Sequence, residues 1–196
     1  MAQLQAGLEH IRNSPKDEGV LELIVRRPAV GEREVLEAGE LTEVDGLVGD
    51  NWSVRRGWNR RNPWPNPDMQ INVMNARAIA LIAEAKERWS LAGDQLFVDL
   101  DLSPANMPPG TRLAIGTAII EVTHEPHTGC GKFLNRFGPD ATKFVNSPIG
   151  RALNLRGVNA RVVQAGRIRV GGLARRFDTV KHRQPSMDGG VFRQRP

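Results

Sequence analysis

Hydrophobic positions recur along this chain with two different periods. In residues 3–13, Leu4, Leu8 and Ile11 fall at i, i+4 and i+7, the spacing of one helical face, and Ser14-Pro15 closes the segment. A short N-terminal helix is expected there. The run GVLELIVRR at 19–27 is rich in Val, Ile and Leu and reads as a strand, and 32–37 and 40–44 follow as strands after Gly31 and Gly39. MQINVM at 69–74 alternates, and Asn75 is placed to cap a helix running to Trp89 with Ile79, Ile82 and Ala83 on one face. Strands are expected at 96–102 and 112–115, separated by Pro108-Pro109-Gly110, and at 118–123, where AIIEVT is the clearest strand signal in the chain. KFLNRFG reads as a short helix, Ser147-Pro148 as a cap with proline at the first helical position, and 158–165 with 167–170 as a hairpin around Gly166.

Many short strands at close turn spacing, few helices and no alternation of strand and helix predict a mainly β, α+β domain of barrel-like form. The expected organisation is a helical extension at 1–18, a domain at 19–172 and a basic tail at 173–196 too poor in apolar residues to order itself. Glycine-rich dinucleotide loops and Walker-type phosphate loops are missing from the sequence, which disfavours those two nucleotide-binding classes.

Composition narrows this further. The 196 residues are 40% hydrophobic and 25% charged, which argues against disorder, collagen and coiled coil. The most apolar stretch, 73–85, already carries Arg77 and Glu84, so no membrane span is expected. The first residues lack a basic start followed by an apolar run, and a cytoplasmic location is expected. The overall charge of +5 hides an asymmetry: residues 1–50 hold five basic and eleven acidic side chains, whereas 132–172 hold eight basic side chains against Asp140 alone. A segment of that sign suits an anionic ligand or a solvated basic face.

A single cysteine, Cys130, excludes an intramolecular disulfide and a cysteine-only metal cage. Lying between two glycines at the expected start of a helix, with Lys132 close by, it is placed where backbone N–H groups favour a thiolate. A thiolate can attack as a nucleophile, carry a persulfide or ligate a metal, and the bland alternative is a small buried hydrophobe. His127 and His124 precede it by three and six residues, near enough for His127 to assist, without the spacing of a zinc site and without the local signature of papain-like enzymes.

Gly93-Asp94-Gln95-Leu96, the turn Leu113-x-x-Gly116 with its following strand, the lone Cys130 beyond that strand, and Gly166-x-Ile168-x-Val170-Gly171 together resemble the MOSC domain, named for the C-terminal part of molybdenum cofactor sulfurases. The resemblance covers about residues 19–172 and implies a mainly β, barrel-like fold. It further implies that Cys130 either ligates molybdenum in a molybdenum-pterin cofactor or carries sulfur as a persulfide, with His127 beside it. The cofactor's phosphate and pterin call for cationic and polar neighbours, for which Thr128, Lys132, Arg136, Asn146, Ser147, Arg151 and Arg156 are the candidates. The implied activity is reduction of a small N-hydroxylated substrate, or sulfur transfer. This chain has no pyridoxal-phosphate desulfurase domain and no ferredoxin domain, so an external cysteine desulfurase or electron-donor protein is the expected partner.

A rival reading rests on Trp52, Trp58 and Trp64, interleaved with Arg55, Arg56, Arg60 and Arg61: a nucleic-acid-binding module that stacks bases and neutralises phosphates, aided by the basic tail. Tryptophans more often serve as core or lid residues, and no RNA-binding motif accompanies them, so nucleic acid is the disfavoured partner.

Overall fold

The computed structural model describes residues 1–54 and 64–177. Its strands are β1 (Glu18–Arg26), β2 (Glu34–Leu36), β3 (Ala38–Thr42), β4 (Gly46–Leu47), β5 (Ile71–Asn75), β6 (Leu96–Val98), β7 (Arg112–Ile115), β8 (Ala118–Val122), β9 (Val158–Gln164), β10 (Gly166–Arg169) and β11 (Leu173–Phe177). The helices are α1 (Ala2–Ala6), α2 (Leu8–Arg12), α3 (Ala76–Ala83), α4 (Gly131–Asn146) and α5 (Pro148–Ala152).

Seven strands close into a barrel in the order β1, β6, β5, β9, β8, β7, β11 and back to β1, while β2 extends the far end of β1. Neighbours are antiparallel except β5 and β6. The alternation seen in the sequence decides which side chains fill the barrel. Leu113 and Ile115, Ala118, Ile120 and Val122, and Ala174 point into one core, joined by Leu21, Ile71, Val73, Leu96 and Val98. Intervening residues of the same strands, Leu23, Val25, Met74 and Phe97, face outward into a second core beneath α3 and α4 with Trp89, Phe133 and Phe144. Strands buried on both sides explain why β1 and β5 read as almost continuous apolar runs. The mainly β, barrel-like expectation is therefore what the structure shows. Among the described residues no helix is long and apolar enough to cross a membrane.

Four local expectations are corrected. The N-terminal helix is two short ones, broken at Gly7, where a side chain would meet Leu81 at 2.5 Å; they pack on α3 through Leu4, Leu8 and Ile11. The helix opened by Asn75, whose Oδ1 accepts from the Ala78 amide, stops at Ala83 because Glu84 takes a φ of 65°, and a 3-10 segment continues to Ala92. No hairpin forms around Gly166: β10 turns away from β9 to pair with β3, held by the Thr117 hydroxyl accepting from Arg167 N. Gly166 lies so close to the Thr117 backbone that a Cβ would sit 2.4 Å from it. The basic segment from Leu173 opens as β11, which pairs with both β7 and β1 and completes the barrel. Its ladder bonds and the ion pair of Arg175 with Glu18 order a stretch that hydrophobicity alone would not. Residues 178–196 lie outside the described residues.

Candidate functional site

The loop after β8 is fastened along its length. Thr123 donates its amide to Asn159 O and its hydroxyl to Asp68 O, and Asn159 Nδ2 reaches Glu125 O at 3.1 Å. At the far end Asn146 forms a two-way amide pair with Gly129, accepting from its N–H at 2.9 Å and donating to its C=O at 3.0 Å. Gly129 has no room for a side chain, since a Cβ would lie 2.9 Å from Val145. This clamp delivers Cys130 to the cap position of α4, exposed at the rim of a cavity of about 290 Å3.

Burial pushes the Cys130 thiol up, but the amides of Phe133 and Lys132 and the charge of Arg156 outweigh it and hold the thiol below its ordinary value. The rate of Cys130 alkylation by iodoacetamide should therefore rise with pH through a midpoint below that of an ordinary thiol, about 8.5. Asn146→Ala, which releases Gly129, should move the midpoint upward; an unshifted wild-type midpoint would refute the electrostatic account.

Five cations line the cavity: Arg27, Arg33, Lys132, Arg136 and Arg156. Two are neutralised from behind. Arg156, only 6% exposed, places Nη1 at 2.6 Å from the fully buried Asp94 carboxylate, donates Nη2 to Ala92 O and stacks on Phe133. Arg27 forks onto buried Asp50 with both contacts at 2.8 Å and extends Nη1 to Asn72 Oδ1 and Gly93 O. Arg33, Lys132 and Arg136 have no carboxylate within ion-pairing distance among the described residues, and Arg136 donates instead to Leu91 O. Burial and the neighbouring charges of Arg136 and Arg27 hold Arg33 below the usual arginine value. Burial likewise raises the Asp94 carboxyl, with Arg156 opposing. His127 is kept neutral by burial, Arg156 and Arg27, its Nδ1 3.4 Å from Asp94 Oδ1.

Four buried side-chain polar atoms among the described residues have no hydrogen-bond partner: Arg33 Nε, Asn51 Oδ1, His127 Nδ1 and Arg156 Nε. Unpartnered buried polar groups cost about 1–3 kcal/mol each, and all four gather around this one cavity. Among the described residues there is no group of three His, Cys, Asp or Glu that could hold a metal ion, and Cys130 is the one thiol in the cavity wall.

Of the residues singled out from sequence, Cys130, His127, Thr128, Lys132, Arg136 and Arg156 share the cavity wall. Asn146 acts from behind through Gly129. Ser147 caps α5, accepting from Gly150 N at 3.0 Å, and lies outside the cavity lining, as does exposed Arg151. Sequence reasoning missed Arg27, Arg33, Asn51 and Asn72. Their two local signals are a double arginine at the end of an apolar strand and a Gly-Asp-Asn turn, and neither announces a site. Trp52 is 7% exposed, whereas Trp64 is 75% exposed. Trp58 and the four arginines between them lie outside the described residues.

No family model and no curated protein matches the chain. Solved structures do. The chain is similar to the YUAD protein from Bacillus subtilis at 17% identity over 83% of this chain and 97% of that one, with a TM-score of 0.59. A hypothetical protein is 18% identical over 87% of this chain and 72% of its own, TM-score 0.58. YiiM from Geobacillus stearothermophilus is 15% identical over 84% and 75%, TM-score 0.51. At these identities the likeness is one of fold, a MOSC-like barrel.

Proposed function

We propose that the chain binds a molybdenum-pterin cofactor in the arginine-lined cavity, with Cys130 as its protein ligand to the metal. The observation that carries this reading is the convergence of all four unpartnered buried polar atoms of the described residues on the cavity that Cys130 borders. The donor set fits the group: Arg33, Lys132 and Arg136 supply cationic charge for a phosphate, Asn51 supplies an acceptor and Arg156 Nε a donor for a polar heterocycle, and Cys130 a soft sulfur. When bound, the cofactor supplies oxygen-atom exchange with a small N-hydroxylated substrate, with electrons from a separate donor protein. The chain's own residues bind and orient. Asp94 and Asp50 fix Arg156 and Arg27, the Asn146 clamp aims Cys130, and neutral His127 can take up or hand on a proton at the cavity wall.

Purification from a cofactor-replete host should yield molybdenum and pterin in near one-to-one ratio with protein, and Cys130→Ala should lose the metal. Wild-type protein free of both would overturn the proposal. An added sulfur on Cys130 in that protein would favour a persulfide carrier supplied by a cysteine desulfurase, and retention of single-stranded RNA with steep salt dependence would favour the nucleic-acid reading.

A further inference from the structure

A second cavity, of about 200 Å3, adjoins the first and shares Pro126 and His127 with it. The two differ in charge. Five cations and no carboxylate line the first, whereas the second has no lysine or arginine in its wall and one carboxylate, Glu125. Its apolar lining is three exposed prolines, Pro104, Pro109 and Pro126, with the buried side chains Met107, Val122 and Val158. Two of its polar groups keep an acceptor free. Thr123 spends its hydroxyl proton on Asp68 O, so its Oγ1 can only accept, and Asn154 gives one Nδ2 hydrogen to Leu102 O at 2.8 Å, leaving Oδ1 and the second Nδ2 hydrogen. Asn154 also holds a φ of 47°, a left-handed conformation at the cavity wall. Apolar walls with a few polar groups are the make-up of a small-molecule site, and a carboxylate with no facing lysine or arginine disfavours an anion.

We infer that this second cavity binds a small organic molecule with an apolar body and an N–H or O–H donor, neutral or cationic, beside the anion-selecting cavity and separated from it by Pro126 and His127. The inference does not depend on what fills the arginine cavity, and its test needs no cofactor.

Three probes of one size and different charge decide it: benzylammonium, benzyl alcohol and benzoate, titrated into the isotope-labelled full chain while the ring resonances of His124 and His127 are followed. His124 lines only the second cavity and His127 lines both. The alcohol and the ammonium should shift both histidines saturably, and benzoate should leave His124 unmoved. Pro109→Trp, at an exposed position of the rim, should abolish the shifts with the amide spectrum intact. Glu125→Gln, at a half-buried position, should lower affinity for the ammonium relative to the alcohol by about two- to fivefold. Benzoate moving His124 as strongly as the others, no probe moving it, or shifts confined to His127 would each overturn the inference.

Discussion

Asp94→Ala is expected to destabilise the protein by about 3–5 kcal/mol, the cost of leaving one member of a buried ion pair without its partner. The Asp94 carboxylate is fully buried and takes both of its short contacts from Arg156 Nη1, at 2.9 and 2.6 Å. With the carboxylate gone, the guanidinium stays desolvated at 6% exposure with Ala92 O as its remaining backbone acceptor, and its Nε already lacks a partner. Urea unfolding reads the loss directly. The double variant Asp94→Leu with Arg156→Met removes both charges and should be more stable than Asp94→Ala, because the hydrophobic pair needs no desolvated ion. A single-variant cost below about 1 kcal/mol would show that water reaches the pair and that Arg156 is not anchored as described.

Gly157→Ala should cost about 3 kcal/mol or more, through backbone rather than through a lost contact. Gly157 holds a φ of 100°, and a Cβ there would sit 2.2 Å from Val73 O, beside the Val73 and Val158 pairing of β5 with β9. The strands must part, and Arg156, the preceding residue, moves with them. Gly131→Ala is the control. Its added Cβ meets nothing within 4 Å, and it lies in the first turn of α4 next to Cys130, where alanine is the better helix former. Thermal unfolding should separate the two variants widely. Equal midpoints would mean that the close approach of β5 to residue 157 does not exist in solution.

The predicted elements that held were those in which local chemistry and tertiary packing agree. The Asn75 and Ser147 caps form as their side chains dictate. The alternation of AIIEVT puts Ala118, Ile120 and Val122 inside the barrel because side-chain period and strand pleat are the same number. Cys130 was legible as the residue that opens a helix because glycine on both sides and a following amphipathic segment are local features. Lys132 and Arg136 share the helix that Cys130 opens, at positions two and six residues on, so they reach the cavity with it.

The remainder was decided by contacts between residues far apart in the chain. Arg27 is joined to Asp50 and Asn72, and Asp94 to Arg156, only because the end of β1, the turn after β4, β5 and the residues before β6 and β9 meet at one end of the barrel, and no periodicity encodes that meeting. The departure of β10 from β9, and the ordering of Leu173–Phe177 as the closing strand, come from ladder pairing with β3, β7 and β1. Backbone hydrogen bonds carry no sequence signature of their partner. Sequence by itself therefore determined the class of fold, a cysteine at a helix start and the basic character of its surroundings, since each follows from neighbours along the chain. Tertiary structure alone decided which cations are compensated, which buried polar atoms of the described residues lack a partner, and that a second cavity without lysine or arginine lies beside the first.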